Sequence, residues 1–312
     1  MVQICTTDVA GCATCTRYRE VMRTVLLALA IGVGVSLAAN LATTVYLHRA
    51  LAHRALAVRA PAAHVFRFFL WVSTGIRPRQ WVAVHRKHHA FTDVEGDPHS
   101  PVLHGWVKVQ LLNLAMYRKE ARNPRTIERY AKDLPPSRLD RVLYDHALAG
   151  LAAGVVALCL LFGWQVGLLA SLIHLNVYIG GSAAVNAIGH HFGRRPYDNN
   201  AGNLQWLAFL TAGEGLHNNH HAKPSSAKLS HRWFEIDPGW WLIKALTWLR
   251  LARLRVMTGA ANAAAAARQT ATNAAAVAKA KASAAKDAAS SAAAAASTAA
   301  TASTQPDPAA TA

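Results

Sequence analysis

The sequence predicts an all-α integral membrane protein: a bundle of about three spanning helices, with polar, histidine-rich segments gathered at one end. Two observations carry that class. Runs at residues 25–47, 146–162 and 166–185 are nearly free of charge, and runs of this kind cross a bilayer as helices. The polar remainder concentrates histidine into short elements of repeated spacing. Composition agrees, because 53% of residues are hydrophobic although the net charge is +17 and the sequence pI is near 10.3. Basic charge ordinarily raises nucleic acid as a partner, but beside such runs it fits a membrane protein with its charge on one surface. The expected partner is the lipid bilayer, and no nucleic acid.

In chain order, residues 1–24 read as a polar tail, with Met22 an alternative start and no cleavable signal peptide in view. Cys12 and Cys15 form a lone CxxC there, a pattern mostly met by accident. The run from Val25 to Leu47 would make a helix of about 35 Å, long enough for one crossing. Ala60 to Ile76 is shorter and carries His64 and Arg67. From His85 to Asp145 the chain is polar and basic, including Arg118, Lys119, Arg122, Arg125, Arg129, Lys132, Arg138 and Arg141. Two apolar runs follow, joined by the uncharged turn Gly163-Trp164-Gln165, and read as a transmembrane hairpin. The positive-inside rule puts the basic loop in the cytoplasm and the turn outside. Residues 203–255 mix Trp206, Trp233, Phe234, Trp240, Trp241 and Trp248 with basic residues, as a cap at the membrane surface would. The membrane domain is therefore 25–257, and 258–312 is an alanine-rich, low-complexity tail that cannot bury a core.

The histidine elements carry the chemistry. His217, His220 and His221 stand at i, i+3 and i+4, one face of a helical turn, and His85, His88 and His89 repeat the spacing. His48 and His53 form a third element, and Asn186 and His190, one turn apart, a fourth. If all four belong to one site they share a side of the membrane. Two spans separate His89 from Asn186, which satisfies that condition. Only Ala60 to Ile76 separates His53 from His85, so this segment should not cross; it should lie along the interface or lean on the bundle.

Nine imidazoles exceed what one ion accepts, so His48, His53, His85, His88, His89, His190, His217, His220 and His221 imply two metals, with Asn186 a further contact through water. His48 and His53 are about 140° apart on an ideal α-helix, so either the helix ends between them or each serves a different ion. Imidazole suits zinc, copper and iron alike. A structural zinc would leave most of these donors unused, whereas a di-iron centre activating dioxygen uses many nitrogens. Asp93, Glu95, Asp97 and Glu214 flank the elements as candidates to orient the rings. His64, His99, His104, His146, His174, His191 and His231 fall outside the pattern and read as structural. Counting back from His48, Thr44, Asn40, Ser36 and Gly32 form a small or polar stripe that serves either helix packing or a tunnel for substrate.

These residues resemble the integral-membrane fatty-acid desaturases, in particular the delta-9 acyl-CoA branch and its bacterial relatives. HRALAH is similar to the family's HxxxxH, HRKHH to HxxHH, GEGLHNNHH to the third box, and NAIGH to the asparagine–histidine element before it. The text from Thr92 to Pro101 and from Pro224 to Trp240 agrees as well, so the resemblance covers roughly residues 25–255. It implies a mostly helical membrane fold whose cytoplasmic helical cap holds a di-iron site on the nine histidines, with a kinked tunnel for the acyl chain. The reaction implied is oxidoreductive: O2 and two external electrons convert a methylene pair of a saturated acyl chain, as acyl-CoA or a lipid-linked ester, into a cis double bond at delta-9. Without an HPGG haem motif in the tail, the electrons should come from a separate ferredoxin, rubredoxin or cytochrome b5 type of donor with its reductase. Relatives usually place two spans before the first box; one span here implies an external N-terminus. The basic loop, with Arg194, Arg195 and Lys223, faces either coenzyme A phosphates or anionic lipid. The implied location is a bacterial inner membrane, with the active site toward the cytoplasm. A di-iron hydroxylase and a metal-binding transporter are the competing readings.

Overall fold

The computed structural model describes residues 13–255, with Ala278 besides. Cys12 of the CxxC pair, the first half of the expected N-terminal tail and the rest of the alanine-rich tail lie outside the described residues. The fold is mostly helical, as the apolar runs require. α1 (Ala13–Ala42) begins well before Val25 and passes directly into a π-helical segment, Thr43–Ala52. Together they make one apolar rod, Thr16–Ala52, of 37 residues. α8 (Trp164–Ala187, 24 residues) is the second helix long and apolar enough to cross a membrane. α7 (Ala147–Phe162) is apolar but only 16 residues long.

α1 and α8 lie side by side, with Ala28 packed on Val166 and Ala170. A Cβ on Gly32 would come within 2.6 Å of the Ala170 carbonyl oxygen, so the two backbones touch there. The polar stripe runs along this seam. Ser36 Oγ donates to the Gly32 carbonyl at 2.8 Å and lies 3.0 Å from His174 Nδ1. Asn40 Nδ2 donates to the Leu210 carbonyl at 3.1 Å, and Thr44 hydrogen-bonds Glu214. Protein atoms thus occupy the stripe, and packing is its role. His174 is structural, as its place outside the boxes predicts: its Nε2 donates to the Ser73 carbonyl at 2.8 Å, joining α8 to α2.

α2 (Ala60–Thr74) has 15 residues, a rod of about 22 Å against a hydrocarbon core of about 30 Å. It packs against α1 and α7. Its contact with α7 is made through Gly150 and Gly154, one turn apart. A Cβ on Gly150 would meet the Trp71 carbonyl oxygen at 2.5 Å, and one on Gly154 the Val72 carbonyl oxygen at 2.1 Å. Trp71 Nε1 also donates to the His146 carbonyl at 3.1 Å.

The cap consists of α3 (Pro78–Ala90), α4 (Pro101–His104), α5 (Trp106–Ala121), α6 (Pro124–Tyr130), a π-turn at Asp140–Tyr144, α9 (Gln205–Leu210), α10 (His217–Ala222) and α11 (Pro238–Trp248). Two short strands, β1 (Leu56–Val58) and β2 (Ala252–Leu254), pair antiparallel with Leu56 opposite Leu254. They tie the end of the cap back to the chain just after His53. Beneath them Val45, Ala55, Leu56, Ile243 and Ala252 form one apolar cluster.

Leucine at Gly154 should force α2 off α7, because a backbone carbonyl has no rotamer to yield. We expect Gly154→Leu to cost about 3 kcal/mol, the upper end for overpacking, read as a lower midpoint in thermal unfolding of the purified protein.

Candidate metal centre

The first box solves its spacing problem with the backbone. In the π-helical segment the His53 amide donates to the His48 carbonyl at 3.0 Å, an i→i+5 bond. This wider turn stacks residues five apart nearly above one another, and the two rings come within 4.8 Å, centroid to centroid. The segment ends at Ala52, so the helix does end between the two histidines, and both join one group.

All nine box histidines converge, in two groups. His48, His53, His85, His89 and His220 form one, and His88, His190, His217 and His221 the other; within each, the ligand atoms lie within 4.8 Å of one another. Neither triad serves one group alone. His85 and His89 go together while His88 goes to the second group, and His217 and His221 go together while His220 goes to the first. Helix geometry explains this: positions i and i+4 differ by about 40°, whereas i+3 and i+4 differ by about 100°. Each four-residue pair therefore faces one way and the middle histidine the other.

Carboxylates set the ring orientation. His48 Nδ1 lies 2.7 Å from Glu214, His190 Nδ1 3.0 Å from Asp93, and His88 Nδ1 3.0 Å from both oxygens of Asp97. An ionised carboxylate only accepts, so each Nδ1 carries the proton and each Nε2 presents a lone pair. Yet the Nε2 atoms face one another: His48 and His220 at 3.1 Å, His220 and His89 at 2.9 Å, His190 and His217 at 3.0 Å. The His88 Nε2 is buried and has no partner. Metal–nitrogen bonds of about 2.1 Å would place ligands at right angles about 3.0 Å apart. The donor set therefore fits two cations, one per group.

Burial favours the neutral, ligating form. It pushes His53, His85, His89, His217, His220 and His221 well below the usual imidazole range, and neighbouring imidazoles add to the effect. His88 is the exception: burial lowers it, but the Asp97 charge and hydrogen bond outweigh that and the net shift is upward. Burial alone would raise the Asp97 carboxyl; His88 holds it well below the usual carboxylate range instead.

Among the other expected residues, Asn186 Nδ2 donates to Asn113 Oδ1 at 3.1 Å. Glu95 is exposed and away from the rings. His99 is buried and stacks on His88, with centroids 4.8 Å apart; burial and then His88 push it down to about 3. Two supports escaped the sequence reading. Trp81 stacks on His85 at 4.9 Å; its position one turn before His85 was the available signal. Arg49, 1% exposed, binds Asp237 through two hydrogen bonds of 2.7 and 3.1 Å and lies 4.0 Å from Glu214. That clamp joins the first box to the start of α11, a pairing that spacing cannot signal.

Removing the Asp97 charge should loosen the second group. Asp97→Asn is expected to weaken metal binding 10- to 100-fold, about the usual effect of losing a carboxylate behind a ligand. Metal titration of the purified variant, with helix content checked by circular dichroism, reads it.

A profile of the family described as "Fatty acid desaturase" matches residues 24–267. Curated relatives agree. The "sn-1 stearoyl-lipid 9-desaturase" of Synechocystis sp. is 30% identical over 212 residues, 67% of this chain and 65% of that protein. The match thus spans just under two thirds of that relative. "Delta-9 acyl-lipid desaturase 1" of Arabidopsis thaliana is 29% identical over 68% of this chain and 70% of its own. "Acyl-CoA C20 Delta5-desaturase" of Anemone leveillei is 33% identical over 67% of each. The profile takes in all nine converging histidines and both long apolar helices' cap-side ends, and the chain belongs to the fatty acid desaturase family.

Proposed function

We propose that the protein is an oxygen-dependent membrane desaturase that introduces a cis double bond, at delta-9, into a saturated acyl chain carried by coenzyme A or esterified in a lipid. The observation that carries the reading is the division of nine buried or half-buried imidazoles into groups of five and four, with their ring nitrogens turned inward. His48, His53, His85, His89 and His220 would hold one iron and His88, His190, His217 and His221 the other, with Asn186 contributing through water. A bound di-iron pair would supply the oxidising chemistry, using O2 and two external electrons to remove two hydrogens from adjacent methylenes. The relatives' printed names support desaturation but divide between acyl-lipid and acyl-CoA substrates and between delta-9 and delta-5 positions.

The chain's own residues do the positioning. Glu214, Asp93 and Asp97 keep the protons of His48, His190 and His88 on Nδ1 and hold those rings in place. Arg49 neutralises Asp237 and approaches Glu214, so the acidic groups behind the first group have a buried counter-charge. His88, His190, His217 and His220 are each 2% exposed or less, which keeps bulk water off the centre. Electrons would arrive from a separate ferredoxin, rubredoxin or cytochrome b5 type of donor. The apolar rods support a membrane location; the bacterial inner membrane, with the cap in the cytoplasm on the side of the basic loop, completes the proposal.

Lipid analysis of a host expressing the chain tests the reaction. Wild type should add a monounsaturated product and bind about two irons; His220→Ala should abolish the product, lower bound iron and still reach the membrane. An alcohol product would favour the hydroxylase reading, and full turnover by His220→Ala would refute the centre.

Three crossings put the N-terminus opposite the boxes. A reporter at residue 20 should accordingly label only from outside the cell; labelling from the cytoplasm would remove one crossing.

A further inference from the structure

A cleft on the cap stands outside the histidine centre and has its own chemistry. It encloses about 180 Å³ and is lined in part by Arg194, Arg195, Arg232, Gln205, Phe234 and Glu235. All three arginines are exposed. Among the described residues none of the three forms an ion pair with a carboxylate. The one acid in the wall is already engaged: Glu235 Oε2 accepts from Asn219 Nδ2 at 2.8 Å and from the amides of His231 and Arg232 at 2.6 and 2.9 Å. The backbone fixes the arginines around the opening. Arg194 pairs with Asn203 as an isolated bridge, and its guanidinium lies 5.7 Å from the centre of the Phe234 ring. Arg195 Nη2 donates to the His191 carbonyl at 3.3 Å. Three guanidinium groups around one concavity, none paired with a carboxylate, select an anion that accepts several hydrogen bonds, and phosphate is the usual one.

The surroundings say where that phosphate comes from. Gln205 ties the cleft to α9: its Nε2 donates to the Phe234 carbonyl at 3.0 Å, and its Oε1 accepts from the Ile236 amide at 3.3 Å. α9 in turn sits against the cap-side ends of the two long apolar helices. Asn40, near the end of α1, donates to the Leu210 carbonyl, and a Cβ on Gly181, near the end of α8, would meet Thr211 at 3.8 Å. α9 leaves Trp206, Phe209 and Leu210 exposed by 53, 56 and 47%, at i, i+3 and i+4, so they form one apolar face. Beside it Trp233 is 96% exposed. Aromatic side chains next to arginines, at the level where spanning helices leave hydrocarbon, mark the headgroup layer.

We propose that this cleft binds the phosphate headgroup of an anionic bilayer lipid, with Arg194, Arg195 and Arg232 on the phosphate and the Trp206–Phe209–Trp233 surface against the adjoining chains. The site requires the chain's membrane placement and does not depend on the desaturase reading. A soluble acidic protein fits less well, since the apolar face beside the cleft would be in lipid.

The test is binding of a fluorescent phosphatidylglycerol to the purified full chain in neutral detergent. Each phosphate-facing arginine should contribute about fivefold, the equivalent of about 1 kcal/mol per basic residue near an anionic surface. Arg194→Gln and Arg232→Gln should each weaken binding by about that factor, and together by more than tenfold. Arg232→Lys, which keeps the charge, should retain most of the affinity, and Arg125→Gln on α6 should change nothing. Retained binding by Arg232→Lys also shows that the loss in Arg232→Gln is not misfolding. Equal affinity for wild type and the double variant would overturn the proposal, as would equal binding of phosphatidylcholine. Displacement of the probe by free coenzyme A at comparable concentration would overturn the lipid assignment and give the phosphate to a soluble carrier.

Discussion

Nine imidazole rings crowd one dry space, three of them with lone pairs fixed inward, and the rest of the cap is arranged around that constraint. Nitrogen atoms about 3 Å apart need a proton or a cation between them. The carboxylates behind the rings make the constraint absolute for three of them. With Glu214, Asp93 and Asp97 on the Nδ1 side, His48, His190 and His88 have no tautomer in which Nε2 could donate inward. Burial keeps six others uncharged, so each retains one nitrogen lone pair that a cation could take. Folding thus assembles a set of donors that metal would complete, and much of the cap's stability would then reside in that binding.

The supporting structure delivers each donor from a separate rigid element. α1 and its π-helical extension bring His48 and His53, α3 brings the second box, the end of α8 brings His190, and α10 brings the third. None of these is held by the others through apolar packing at the centre itself, because the centre is made of rings that repel. The elements are fixed from outside. Arg49 and Asp237 lock the first box to α11, β1 and β2 close the ring behind His53, and Asn203 donates to Asn219 at 2.8 Å within the third box. The clamp is buried at both ends, 1% exposed each, so breaking one partner would strand a charge rather than merely lose a bond.

Much of this was legible in the sequence, for reasons that also mark where legibility stops. Local spacing revealed the nine histidines, because a repeated i, i+3, i+4 pattern survives in one dimension. Parity gave the expectation that α2 does not cross, because crossings must be even between elements on one side. The partition of the triads was not legible, since deciding which neighbour goes to which ion needs the angle at which α3 and α10 approach. The pairing of His48 with His53 is open in the sequence because an ideal α-helix sets them about 140° apart; a π-turn changes the angle per residue, and nothing in TTVYLHRALA announces one. The polar stripe on α1 was ambiguous for a similar reason. Its composition fits a tunnel or a seam equally, and only the neighbours Ala170, His174 and Leu210 distinguish them. Arg49 with Asp237 could not be anticipated, because the two are far apart in the chain and each has many acceptable partners.

The groups of five and four are unequal, and the inequality has a physical consequence. With five nitrogens the first group can nearly fill an ion's coordination, whereas the second leaves more positions to be taken by something other than histidine. It is also the group backed by two carboxylates, Asp93 and Asp97, against one for the other. More negative charge behind fewer donors suits an ion that carries an exchangeable oxygen ligand, since the carboxylates strengthen the remaining imidazoles. Asn186 stands one turn before His190 on the same face of the chain, and its side chain is held by Asn113 rather than by a ring. Any contribution of Asn186 to a metal would accordingly be indirect. The unequal donor sets would favour an asymmetric pair, with the five-histidine ion more nearly closed by protein and the four-histidine ion more open.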